Sequence, residues 1–169
     1  MSLKELIKLI EQWAIERGLD KSGTVEGQLI KTAEEVAELI IGISKGNLKL
    51  IKDSIGDVFV TLVIGYMLNQ SDNKSFLYHC VKYAKHDSTM RPNRKLDLIY
   101  FINHSLNGLL DCEDYDEFVV ANLVECLIDI SDWYELDFTD CVESAYNEIV
   151  SRKGRVIDGT FVKEADLNE

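Results

Sequence analysis

The sequence predicts an all-α protein, an antiparallel four-helix bundle core carrying extra helices and an irregular C-terminal arm. Three observations predict it. Long segments repeat apolar residues at helical spacing. One proline and ten glycines in 169 residues are too few for a turn-rich β-protein. Hydrophobic residues make up 46% of the chain, enough for a packed core, and Leu, Ile, Glu and Lys dominate.

The elements follow in order. A first helix, about Leu3 to Arg17, puts Leu3, Leu6, Ile7, Ile10 and Trp13 on one face and ends at the loop GLDKSG. A second runs from about Thr24 to Lys45 and stops at Gly46-Asn47. A third runs from about Leu48 to Asn69 and stops at QSDN; a shorter one covers Lys74 to Lys85. After HDSTMRPN, which holds Pro92, come helices at about Arg94 to Leu110, Tyr115 to Tyr134 and Thr139 to Arg152. The tail KGRVIDGTFVKEADLNE reads either as a small hairpin or as an irregular arm. The tight Gly-Asn turn makes the second and third helices antiparallel neighbours, and DCED does the same for the fifth and sixth. One domain spans 1–169: a metal-binding half (1–70), a second helical hairpin region (72–136), and a closing helix with a basic tail (137–169).

Thirty acids against eighteen bases give a net charge of −12. Such a surface repels nucleic acid polymers, whose binding rests on phosphate contacts, yet it admits a small phosphorylated ligand held through a metal. No apolar run reaches membrane-spanning length and the amphipathic N-terminus is not a signal peptide, so a cytoplasmic protein is expected. Cys80, Cys112, Cys126 and Cys141 form no CxxC pair and read as free thiols among apolar neighbours. His79, His86 and His104 lack ligand spacing.

The chemistry gathers on the second and third helices. In KDSIGDVFVTLVIGYM, Asp53 and Asp57 share a helix face that Val60 and Ile64 continue. Asp57 therefore sits at or inside the interior, where a carboxylate must be protonated, paired or metal-bound. On the second helix Lys31, Glu34, Glu35 and Glu38 form a polar stripe. The antiparallel turn sets Glu38 opposite Asp57 and lets Glu35, Glu38, Asp53 and Asp57 converge. Hard oxygen ligands suit Mg²⁺, with Mn²⁺ as the alternative. Gly56 leaves room for a helix or a ligand. The bland readings are a solvated acidic face for the glutamates, a dipole-favoured acid at Asp53, and a buried pair of Asp57 with Lys31.

Glu35-Val36-Ala37-Glu38 and Ser54-Ile55-Gly56-Asp57 resemble the ExxE and ExxD halves of the MazG-like all-α nucleoside triphosphate pyrophosphohydrolases, with Ser54 in place of the second glutamate. The resemblance covers residues 1–70 best and returns at AYNEIVSRKGRVIDGTFVKE, which looks like the closing helix and basic tail of phage-type and Gram-positive members. It implies Mg²⁺-dependent cleavage of a nucleoside triphosphate, a deoxynucleoside triphosphate foremost, to the monophosphate and pyrophosphate. Glu35, Glu38, Asp53 and Asp57 would hold metal, and Glu35 or Glu38 would take the proton of the attacking water, with Glu34 a weaker candidate. Asp53 would replace the oxygen that Ser54 lacks, or Ser54 would hold a water. Lys31, Asn147, Arg152, Lys153 and Arg155, with Lys163 beyond, would meet phosphate; Gln28, Trp13 and Tyr66 would shape a base pocket. The resemblance also implies a homo-oligomer, dimer or tetramer, unless the second hairpin takes the partner's place. The alternative function is a non-catalytic helical binding or nucleotide-sensing module with a degenerate site.

Overall fold

The computed structural model describes residues 1–69, 75–87 and 92–165. Its helices are α1 (Leu3–Glu16), α2 (Leu19–Ser22), α3 (Val25–Lys45), α4 (Leu48–Leu68), α5 (Phe76–Asp87), α6 (Lys95–Cys112), α7 (Glu117–Trp133) and α8 (Phe138–Ile149); β1 (Gly154–Ile157) and β2 (Thr160–Lys163) follow. The expected start at Lys74, the QSDN stop and the central part of HDSTMRPN lie outside the described residues. The all-α fold is as expected. Among the described residues no helix is long and apolar enough to cross a membrane.

Local chemistry sets most boundaries. Ser2 caps α1 in a capping box, with its hydroxyl accepting from the Glu5 amide (3.3 Å) and the Glu5 carboxylate accepting from the Ser2 amide (2.9 Å). The predicted face of Leu3, Leu6, Ile7, Ile10 and Trp13 is buried. GLDKSG is not all loop, because Gly18 (φ 75°) turns the chain into the single-turn α2, which buries Leu19. Four residues are too few for a periodic signal. Thr24 caps α3 through the Gly27 amide (3.0 Å). Gly46, in the left-handed region at φ 63°, ends it, and Asn47 caps α4 through the Leu50 amide (3.2 Å).

The α3–α4 hairpin packs against the α6–α7 hairpin, α3 on α6 and α4 on α7, which is the expected bundle core. α5 lies on α7, while α1 and α8 close the remaining side of α4. α4 is thus the central helix, with nearly every residue from Ser54 to Tyr66 buried and Asp57 the exception in that run. Two glycines permit this crowding. A Cβ on Gly56 would stand 2.4 Å from the Cys141 carbonyl oxygen of α8, and one on Gly65 would enter the ring of Tyr115. Cys141 and Cys126 are buried thiols, and the described cysteines are all free, as expected.

The C-terminal segment forms the hairpin. Asp158 and Gly159 both have positive φ (48° and 82°), the signature of a two-residue primed turn, and Ile157 pairs with Thr160. The turn docks on the start of α3, where the Thr24 amide donates to the Gly159 carbonyl (3.0 Å). Gly56→Ala is expected to lower unfolding free energy by about 2–3 kcal/mol through the clash with α8, measured by urea denaturation against wild type.

Candidate functional site

A cleft of about 150 Å³ opens where α1, α2, α3, α4, the end of α8 and β2 meet. Each element contributes by its own periodicity. α3 presents Gln28, Lys31 and Glu35, successive turns of one stripe; α4 presents Asp57, Val60, Thr61 and Ile64 in the same way. Strand alternation brings Phe161 and Lys163 of β2 to the same wall, and Trp13 and Arg152 complete it.

Its acids are unevenly placed. Asp57 is partly buried, and burial is the main force that pushes its carboxyl up to about 7. The charge of Glu35 adds most to that, Asp53 and Glu148 add more, and Arg152 pulls the other way. Burial also raises Asp53, followed by the charge of Glu148, with Lys49 and Arg152 opposing and Glu38 adding. Of the two α3 glutamates, Glu35 lines the cleft with Asp57 and its charge bears on Asp57, whereas Glu38 does not line the cleft and its charge bears on Asp53. Glu38 itself is exposed.

Two cations of the cleft are engaged. Lys31 bridges to Glu34 and also reaches Glu35 at 3.2 Å, so its ion-pair partners are these glutamates rather than Asp57. Arg152 holds Glu148 at 2.8 Å. Among the described residues, no three His, Cys, Asp or Glu side chains stand together as a metal-holding group.

Ser54 is 1% exposed and its Oγ has no hydrogen-bond partner. It does not line the cleft. The position that the resemblance gives to a glutamate is buried between helices, which leaves Asp53 as the second acid of α4; Asp53, like Glu38, does not line the cleft. Asn147, Lys153 and Arg155 are exposed and do not line the cleft. Arg155 pairs with Val162, on the face of the hairpin opposite Phe161 and Lys163. Tyr66 is also elsewhere: its hydroxyl donates to Glu117 (2.7 Å) and its ring stacks on Phe76.

The apolar end of the cleft is rigid. Trp13 meets Phe161 edge to face, with centroids 5.2 Å apart. Gln28 is 5% exposed, and its amide nitrogen donates to the Thr61 carbonyl (3.3 Å). Behind it runs a chain of hydroxyls. Thr61 donates to the Val58 carbonyl (2.7 Å), and the one Thr32 hydroxyl proton is shared between Thr61 Oγ1 (2.9 Å) and the Gln28 carbonyl (3.0 Å). The Thr32 proton being so used, Tyr115 donates to Thr32 (2.8 Å). Three residues the sequence did not single out thus shape the site: Glu148, Thr61 and Phe161. Of these, Glu148 carried a signal, its i,i+4 spacing to Arg152.

No family model matches the chain, and no solved structure matches it. Over 71 residues, 42% of the chain, it is 48% identical to an uncharacterized 18.2 kDa protein in the rep-hol intergenic region of Haemophilus phage HP1 (strain HP1c1). That match spans 44% of the phage protein, so the chain covers less than half the length of this curated relative.

The raised Asp57 makes stability depend on pH. The unfolded chain loses this proton near the ordinary aspartate value of 3.8, the folded one near 7. The group's contribution is fully present below about pH 4 and is lost as pH rises through 7. In metal-free buffer, wild type is expected to lose on the order of 2 kcal/mol between pH 4.5 and 7.5, and Asp57→Asn to lose less, in urea melts at each pH.

Proposed function

We propose that the cleft is the active site of a divalent-metal-dependent nucleotide pyrophosphohydrolase of the MazG-like kind, which converts a nucleoside triphosphate, with deoxynucleotides foremost, to the monophosphate and pyrophosphate. The observation that carries it is Asp57: a carboxyl held up to about 7, coupled to Glu35 and Asp53, at the mouth of a cleft walled by Lys31 and Arg152. A carboxyl in that state gains from a bound cation what it lacks from solvent.

The donor set fits Mg²⁺ or Mn²⁺ by chemistry, since every candidate ligand is a carboxylate oxygen: Glu35, Glu38, Asp53 and Asp57. A divalent ion bound there would neutralise phosphate charge and make a bound water more acidic. The protein's own residues do the rest. Lys31 exchanges its carboxylate partners for phosphate oxygens, and this frees Glu35. A carboxylate oxygen of Glu35 then takes a proton from the attacking water as the water oxygen bonds to phosphorus and the phosphoanhydride bond to the pyrophosphate breaks. Glu38, exposed beside Asp53, is the alternative base. Arg152 and Lys163 hold the phosphate chain from the opposite wall. Trp13, Phe161, Val60 and Ile64 exclude water at the other end, where Gln28 meets the base. Asn147, Lys153 and Arg155 stand off the cleft and are assigned no contact. Assembly into a homodimer or tetramer accompanies this reading; Ile30, Ala37 and Ile41 form an exposed apolar stripe on α3 that supports it.

One observation favours a second reading, a nucleotide-binding module without turnover: Ser54 buries a hydroxyl where the resemblance expects a ligand. Pyrophosphate release from a panel of deoxynucleoside and ribonucleoside triphosphates, with Mg²⁺ and with EDTA, separates the two. Mg²⁺-dependent release is expected, and Glu35→Gln and Asp57→Asn are each expected to lower kcat by roughly 100-fold or more. Nucleotide binding with no release from wild type supports the second reading instead.

A further inference from the structure

Arg17 lies outside every element of the acidic site, yet its guanidinium makes more directed contacts than any cation lining the cleft. It is the C-cap residue of α1, and its side chain is 22% exposed. Nη2 donates to the carbonyls of Val150 (3.2 Å) and Arg152 (3.0 Å), and Nε donates to Arg152 as well (3.3 Å). The guanidinium also lies over the Trp13 ring, 5.0 Å from its centroid. A contact with the Glu16 carboxylate at 3.9 Å is long and adjacent in sequence.

These carbonyls belong to the end of α8, where backbone acceptors lack helical partners and the dipole favours a cation. α8 has no basic residue in its own last turn. Arg17 supplies one from another helix, at the point where the backbone leaves α8 for β1. The backbone of Arg152 is thereby pinned to α1 while its side chain turns to Glu148 and the cleft. The same ring that supports Arg17 receives Phe161, so both parts of the cationic wall, Arg152 and the strand carrying Lys163, are indexed to Trp13.

We infer that Arg17 is a positioning residue: by bridging the Val150 and Arg152 carbonyls over Trp13, it sets the Arg152 guanidinium to receive the phosphate chain of the substrate. The inference rests on the proposed triphosphate reading, and it concerns binding rather than the chemical step. A planar fork is required, because only a guanidinium directs fixed in-plane donors at both carbonyls while its face lies on an indole; an ammonium has no such face.

The test compares Arg17→Lys and Arg17→Met, the latter keeping an apolar stem on Trp13, with wild type in Mg²⁺-dependent turnover. Both variants are expected to raise KM for the triphosphate roughly tenfold and to leave kcat within about a factor of two. Calorimetric titration with inorganic tripolyphosphate, without metal, is expected to show the same loss of affinity. In an Arg152→Met background, Arg17→Met is expected to add nothing further. Full recovery by Arg17→Lys, a fall in kcat at constant KM, additive losses in the double variant, or wild type failing to bind tripolyphosphate would each overturn the inference. If wild type turns over no nucleotide but Arg17→Met still weakens tripolyphosphate, the positioning role stands and the hydrolase reading fails.

Discussion

The structure depends on one constraint: a carboxylate must be accommodated on a helix that has almost no solvent-facing side. α4 is packed by α3, α7, α8 and α1, and its surface from Ser54 to Tyr66 is nearly all interior. Asp57 can exist there only because the helices part beside it and other charged groups reach it. The cleft is the consequence. Its walls are the neighbours of α4; Lys31 and Glu35 reach it from the body of α3, and Arg152 and Lys163 from the segment that follows α8.

The same crowding explains the small residues and the hydroxyls. Gly56 and Gly65 let α8 and Tyr115 approach the backbone of α4 more closely than any side chain would permit. Thr32 and Thr61 sit in the seam between α3 and α4 with their hydroxyls satisfied internally, so polarity inside the bundle costs little where partners are complete. Ser54 is the contrast, a buried hydroxyl with no partner, and it lies one residue from Asp53 in the part of α4 where the acids lie. Its lost hydrogen bonding is a local penalty that a packed aliphatic residue would avoid.

Much of this was legible beforehand. Caps and breakers such as Thr24, Gly46 and Asn47 act locally, so the α3–α4 hairpin and its stripe of Lys31, Glu34, Glu35 and Glu38 could be read from spacing. So could the anomaly of Asp57. What spacing could not give was register to within a turn, since shifting the reversal by one residue moves every facing pair. Glu35 rather than Glu38 therefore lines the cleft with Asp57. Contributions from distant segments were also hidden. Phe161 reaches the cleft, and Arg17 the backbone of Arg152, only through tertiary packing, and Arg155 falls on the wrong face because strand alternation, not proximity in sequence, decides which side of the hairpin it takes. α2 escaped because one helical turn leaves no period to detect.

The hydroxyl series from Tyr115 to Val58 has a consequence for recognition. It ends on a carbonyl, which has no proton to return, so the donors run in one direction only. The wall formed by Thr61 and Gln28 thus has its hydrogen-bonding polarity fixed when the chain folds. A ligand arriving there meets a preordered surface, and the entropy of arranging it is charged to folding instead of to association.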